Sequence, residues 1–172
     1  MIRRSAVVCP AVCLLLLAGP SFGGNPWIVG DQPNDDFETI TEAFDSEYVL
    51  SGHTIRVRPD TYTEAVDFGE KAVTLISWVE ATGETDRDNT KIDVSTLEDT
   101  GAVHIADISS GKATIKGFTI TGGSAILGGG VYVSWAEVDI LDCIITENTA
   151  TSSGGVVQAA LRGGDVRGLM SM

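Results

Sequence analysis

From Lys112 to Gln158 the chain carries one hydrophobic pattern twice. Residues 112–133 (KATIKGFTITGGSAILGGGVYV) lie over 137–158 (EVDILDCIITENTATSSGGVVQ) at an offset of 25 without a gap, and seven of the 22 aligned positions are identical. These include Ile115 with Ile140, Ile120 with Ile145, and Gly129-Gly130-Val131 with Gly154-Gly155-Val156. Within each copy β-branched residues alternate in short runs cut by Gly, Ser and Asn, with no 3.6-residue apolar period, so the segments are predicted strands. A unit this short cannot bury its own apolar side and must stack on its neighbours. Each copy is therefore read as one coil of a β-solenoid. Ile115, Phe118 and Ile120 should point inward and rest on Ile140, Cys143 and Ile145 of the next coil, about 4.8 Å away. Thr114, Lys116, Thr119, Asp139, Asp142 and Ile144 should face outward or sit at corners. Gly122-Gly123 and Gly128-Gly129-Gly130 fall where the chain must turn sharply at positive φ.

Upstream, Thr54-Ile55-Arg56-Val57-Arg58 alternates strictly and Pro59-Asp60 turns the chain. Further strands are predicted at 71–77, 91–95 and 103–108. One amphipathic helix is predicted over 35–44, where Phe37, Ile40, Ala43 and Phe44 share a face. Asp35 is its expected N-cap and Glu38 completes a capping box. Such a helix would cover the open end of the first coil. Residues 24–34 are read as an exposed lead-in and 35–157 as the solenoid with its cap.

The remaining composition narrows the setting. Arg3 and Arg4 precede an apolar run from Ala6 to Ala18, followed by Gly19-Pro20, which is the order of a secretory signal peptide covering residues 1–23. About 13 apolar residues are too few to span a bilayer comfortably. The expected location is thus outside the cytoplasm, secreted or at the cell surface or periplasm, with no membrane span after processing. The sequence has 24 acidic and 11 basic residues, and two of the basic ones lie in that segment. So acidic a surface excludes nucleic acid as an expected partner, because phosphate binding needs clustered Lys and Arg. Beyond the signal only Cys143 remains, without a cationic or histidine neighbour in sequence, and it is read as a small buried side chain. His53, with no second ligand nearby, is read as a turn residue. Asn148, at the corner where the earlier copy has Gly123, is expected to bond backbone. Asp86-Arg87-Asp88-Asn89 echoes the start of a calcium loop but lacks the glycine and distal glutamate, so no cofactor is expected and casual calcium binding is the alternative.

The order of the segments DDFETITEAF, SGHTIRVRPDTYTEAVDF, KAVTLIS, KGFTITGG, GGGVYV and CIITENTA resembles secreted bacterial right-handed parallel β-helix proteins of the pectate-lyase-like superfamily. GGGVY and ITENTA are also similar to repeats of polymorphic outer-membrane and autotransporter-type β-helices. The resemblance covers about 35–156 and implies fold more than activity, since that superfamily holds lyases, hydrolases and adhesins. Its lyases imply calcium-holding acids with an Arg or Lys base, and its hydrolases imply aspartates on neighbouring coils. The ligand-facing candidates are Lys116, Asp139, Asp142 and Glu147, with Lys112 as a second possible base. No hydrolase-like pair of adjacent aspartates stands on the strands, so no catalytic residue is assigned. The expected function is a noncatalytic surface or structural module contacting polysaccharide or cell-envelope components. The alternative is a polysaccharide lyase or glycoside hydrolase.

The end breaks the pattern. Phase calls for an inward apolar residue at 158, opposite Val133, and the sequence has Gln158. Residues 158–172 are read as an irregular tail, and the chain as a C-terminally truncated β-helix that runs out of frame after about Val157.

Overall fold

The computed structural model describes residues 25–78, 87–153 and 157–163. Its elements in chain order are β1 (Trp27–Val29), α1 (Ile40–Asp45), β2 (Thr54–Val57), β3 (Asp60–Tyr62), β4 (Val66–Asp67), β5 (Thr74–Ser77), β6 (Thr90–Asp93) and β7 (Val103–Ala106). There follow β8 (Ala113–Lys116), β9 (Thr119–Thr121), β10 (Ser124–Leu127), β11 (Val131–Leu141), β12 (Ile144–Thr146), β13 (Thr149–Ser153) and β14 (Val157–Gly163). Every ladder is parallel, and the strands wind into a β-helix of about four coils. The first sheet is β1-β2-β5-β8 and the C-terminal part of β11. The second is β3-β6-β9-β12. The third is β4-β7, the N-terminal part of β11, and β14, while β10 and β13 form a short ladder of their own.

The inward set is the predicted one. Ile115 pairs with Ile140 and Ile120 with Ile145, and these four, with Phe118 and Cys143, are at most 1% exposed. Hiding one such aliphatic side chain contributes about 1.5–3 kcal/mol, and alternation delivers one every second residue along each strand. The coils are not equal in length, however. Thr54 pairs with Thr74, Thr74 with Thr114 and Thr114 with Asp139, steps of 20, 40 and 25 residues. The interior fixes the phase of the strands, and the corners absorb the difference.

Those corners use left-handed backbone. Gly117 and Gly122 have φ of 77° and 78°, and one coil later Asp142 and Glu147 hold the same corners at 52° and 56°. At Gly122 a Cβ would also lie 2.4 Å from the Ser95 nitrogen of the previous coil, so no side chain fits. Asn148 behaves as expected. Its Oδ1 accepts from the Gly123 N–H at 2.8 Å, and its Nδ2 donates to the carbonyls of Ile120 at 3.0 Å and Thr146 at 2.9 Å.

Three expectations are corrected. The helix starts at Ile40, with Thr39 as N-cap and Glu42 completing the capping box, and not at Asp35. Residues 36–37 cannot be helical because their backbone bonds to β1: Asp36 and Phe37 donate to the Ile28 carbonyl, and Gly30 donates to that of Phe37. The Glu64 carboxylate then accepts from the Ile40 and Thr41 N–H groups, satisfying two donors of the first turn. The capping role itself holds, since Ile40, Ala43 and Phe44 are buried and Phe44 packs on Phe68 at 4.6 Å. Second, the lead-in is not wholly exposed: Trp27–Val29 adds a strand to β2, and Val29 is fully buried. Third, pairing continues into the predicted tail, because Val157–Gly163 lies along β11. Val131 faces Val157 and Val133 faces Ala159, one residue later than the repeat implied. The predicted signal peptide, Asp86, the repeat residues Gly154 to Val156 and the last nine residues lie outside the described residues.

Candidate functional site

Parallel registration carries outward positions into columns. On the outer face of the first sheet one column runs Ile28, Arg56, Ile76, Lys116, Leu141, and beside it runs Thr54, Thr74, Thr114, Asp139. Arg56 and Lys116 stand two strands apart, about 10 Å. Neither has a carboxylate within salt-bridge distance among the described residues.

The other cations near this face are occupied. The Arg58 guanidinium clasps the Asp35 carboxylate, Nε to Oδ2 at 2.7 Å and Nη2 to Oδ1 at 2.9 Å. That bidentate bond holds the Asp35 carboxyl below the usual carboxylate range. Lys112 pairs with Asp139 at 2.5 Å, which raises the ammonium pKa. Arg87 pairs with Asp142 across the corner between the first and second sheets. Trp78, just past β5, packs under two guanidinium groups, Arg58 at 4.4 Å and Arg56 at 5.6 Å from its ring centroid. The Arg56 Nε is buried and meets no acceptor among the described residues.

The four ligand-facing candidates therefore separate. Lys116 stands on the first-sheet face with no ion pair among the described residues. Asp139 lies on the same face but is bound to Lys112, and Asp142 sits at the next corner bound to Arg87. Glu147 occupies the corner after β12 at φ 56° and is exposed. Asp142 and Glu147 hold corner positions that are glycine one coil earlier, so the structure does not bring the three acids into one pocket. Among the described residues no group of three His, Cys, Asp or Glu side chains could hold a metal ion. Arg87, read as part of an incipient calcium loop, instead reaches across to Asp142.

The remaining candidates are structural. His53 Nδ1 accepts from the Trp27 indole at 3.1 Å and from the Leu50 N–H at 3.2 Å. Burial pushes the Cys143 thiol up to about 11, which keeps it protonated and unreactive. A 440 Å³ acidic hollow beside α1 is lined by Asp31, Asp35, Asp36, Glu38 and Glu42. Three of those carboxylates already serve the cap: Asp35 with Arg58, Asp36 with the Ile28 N–H, and Glu42 with the Glu38 and Thr39 N–H groups.

Sequence reasoning passed over Arg56, Trp78 and Trp135. Arg56 was legible in principle, as a cation at an outward position of an alternating strand in a very acidic chain. Trp135 lies in the gap between the two repeat copies and is 68% exposed. Among the described residues no helix is long and apolar enough to cross a membrane. Comparison with family models, with curated proteins and with solved structures finds no match.

Proposed function

We propose that this chain is a secreted, noncatalytic β-helix module of the pectate-lyase-like type that binds an acidic extracellular polysaccharide on the outer face of its first sheet. The observation that carries the reading is Arg56 and Lys116 standing in one column without an ion-pair partner among the described residues, in a chain with 24 acidic residues. With so many carboxylates to spare, a solvated surface would readily neutralise both. Their spacing of about 10 Å suits carboxylates that recur along a polymer. Asp139 and Asp142, the acids nearest this face, hold Lys112 and Arg87, which favours binding over acid-base chemistry. The Arg3-Arg4 start and the apolar run after it support export.

The test is retention of the protein on a uronate-rich polysaccharide at low and high salt, with the supernatant assayed for unsaturated sugars. Binding should weaken with salt, because exposed charge contacts are screened. Exposed ion pairs contribute about 0.2–1 kcal/mol each, so Arg56→Ala with Lys116→Ala should weaken binding roughly tenfold. No unsaturated product should form. Product that disappears in Lys116→Ala would make the protein a lyase, and undiminished binding by the double variant would remove the site.

A further inference from the structure

Trp135 sits at the corner where β11 leaves the third sheet for the first, with φ of 51°. One coil earlier the same corner is held by Asp107 at 56°, and the Asp107 N–H donates to the Ser134 carbonyl. Aspartate tolerates left-handed backbone, whereas a bulky residue there is a genuine outlier. The indole gains little by packing: it is 68% exposed and stacks on no described ring. A strained residue that the fold does not need points to a use outside the fold.

Its neighbours in the chain anchor the backbone. Val133 and Ala136, on either side, are buried, and the ladder to β14 shifts register between Ser134 and Ala136 and again between Ala136 and Glu137. Irregularities of this kind re-aim side chains next to binding sites. Here the bend sends the chain directly into the first-sheet face, with Asp139 four residues on and Leu141 opposite Lys116. From Trp135 to the Lys116 position is six residues of strand, at most about 20 Å.

We propose that Trp135 is a second contact for the same ligand, its indole stacking on a sugar ring at the edge of the first sheet while carboxylates of the same chain reach Lys116 and Arg56. The inference rests on the polysaccharide reading above and adds a length requirement. The apolar C–H face of a pyranose packs against the flat face of an indole, a side chain with only two χ angles to order, so little side-chain entropy is lost on binding. A ligand that runs along the whole face, up to about 20 Å, meets the indole and the cations together, whereas a much shorter one meets the cations or the indole, but not both.

The experiment compares wild type, Trp135→Gly and the Arg56→Ala/Lys116→Ala double variant on acidic disaccharides and on long oligosaccharides of the same sugar, by calorimetry and thermal melting. Trp135→Gly should melt no lower than wild type, lose about tenfold in affinity for the long ligand and bind the disaccharide unchanged, while Trp135→Phe should recover part of the loss. Undiminished long-chain affinity in Trp135→Gly, with binding still lost in the double variant, overturns this inference and leaves the polysaccharide reading standing. Loss in neither variant overturns both. A drop of several degrees in the melting temperature of Trp135→Gly would show that the indole serves the fold, which also overturns it.

Discussion

The coil that begins at β5 and the one that begins at β8 hide equivalent interiors behind different corners. The first turns Leu75, Ile92, Val94, Val103 and Ile105 inward, and the second Ile115, Phe118, Ile120, Val131 and Val133, all at most 1% exposed. Yet the first takes 40 residues to return to the first sheet and the second takes 25. The inward column is common to both coils, and it is the corners that differ. The residues proposed to meet the ligand accordingly lie on the outer side: Trp135 occupies a corner, and Arg56 and Lys116 share a column of the first sheet.

Equal interiors should show equal costs. Ile92→Ala in the longer coil and Ile120→Ala in the shorter each remove a buried aliphatic side chain and should each cost about 2–5 kcal/mol in urea unfolding. A loss confined to Ile120→Ala would mean that the long coil is not packed as its neighbour is. Unequal corners should show unequal costs. Asn148→Ala deletes three hydrogen bonds, two of which tie the short coil to the next, and should cost about 1–3 kcal/mol. Insertion of two glycines after Glu98, in an exposed corner of the longer coil, should cost under about 1 kcal/mol, because loop closure grows slowly with length. Similar losses from both changes would end the claim that corners are tuned separately.

How much of this was legible follows from which forces were local. The inward phase was, because each alternating run states which side is buried, and Ile115 over Ile140 came directly from the repeat. Asn148 was readable too, since an amide at a turn has few other uses. Coil length was not, because only two copies show the 25-residue spacing and the corner between β5 and β6 leaves no periodic mark. β1 was missed because Trp27–Val29 is strand only by pairing with β2, a tertiary effect that no local preference reveals. The helix start was misplaced because Asp35 fits an N-cap, while its actual partner, Arg58, lies 23 residues on. The cationic pair was invisible for the same reason: Arg56 and Lys116 are 60 residues apart in sequence and share a column only once three coils are stacked.

The smallest expected effect concerns pH at the cap. Asp35, held low mainly by the Arg58 hydrogen bond, and Asp93, held low mainly by the Ser95 N–H, both have depressed carboxyl pKa values in the folded chain. Their stabilisation is complete above the unfolded value of about 3.9 and is lost as pH falls through the lower folded values. Asp35→Asn should therefore flatten the acid side of a stability-against-pH curve and leave its neutral and alkaline course parallel to wild type. An equally steep acid limb in that variant would assign the loss to other carboxylates.

The central claim is that stacking places two cations without an ion-pair partner among the described residues on one outer face, where we propose that they meet the carboxylates of a polymer. Its most direct measurement is the affinity of the full chain for one acidic polysaccharide before and after chemical reduction of its carboxylates to alcohols. The account predicts salt-sensitive binding to the first, at least tenfold weaker binding to the second, and no difference between the two in the Arg56→Ala/Lys116→Ala variant. Equal affinity of wild type for both polymers would contradict it.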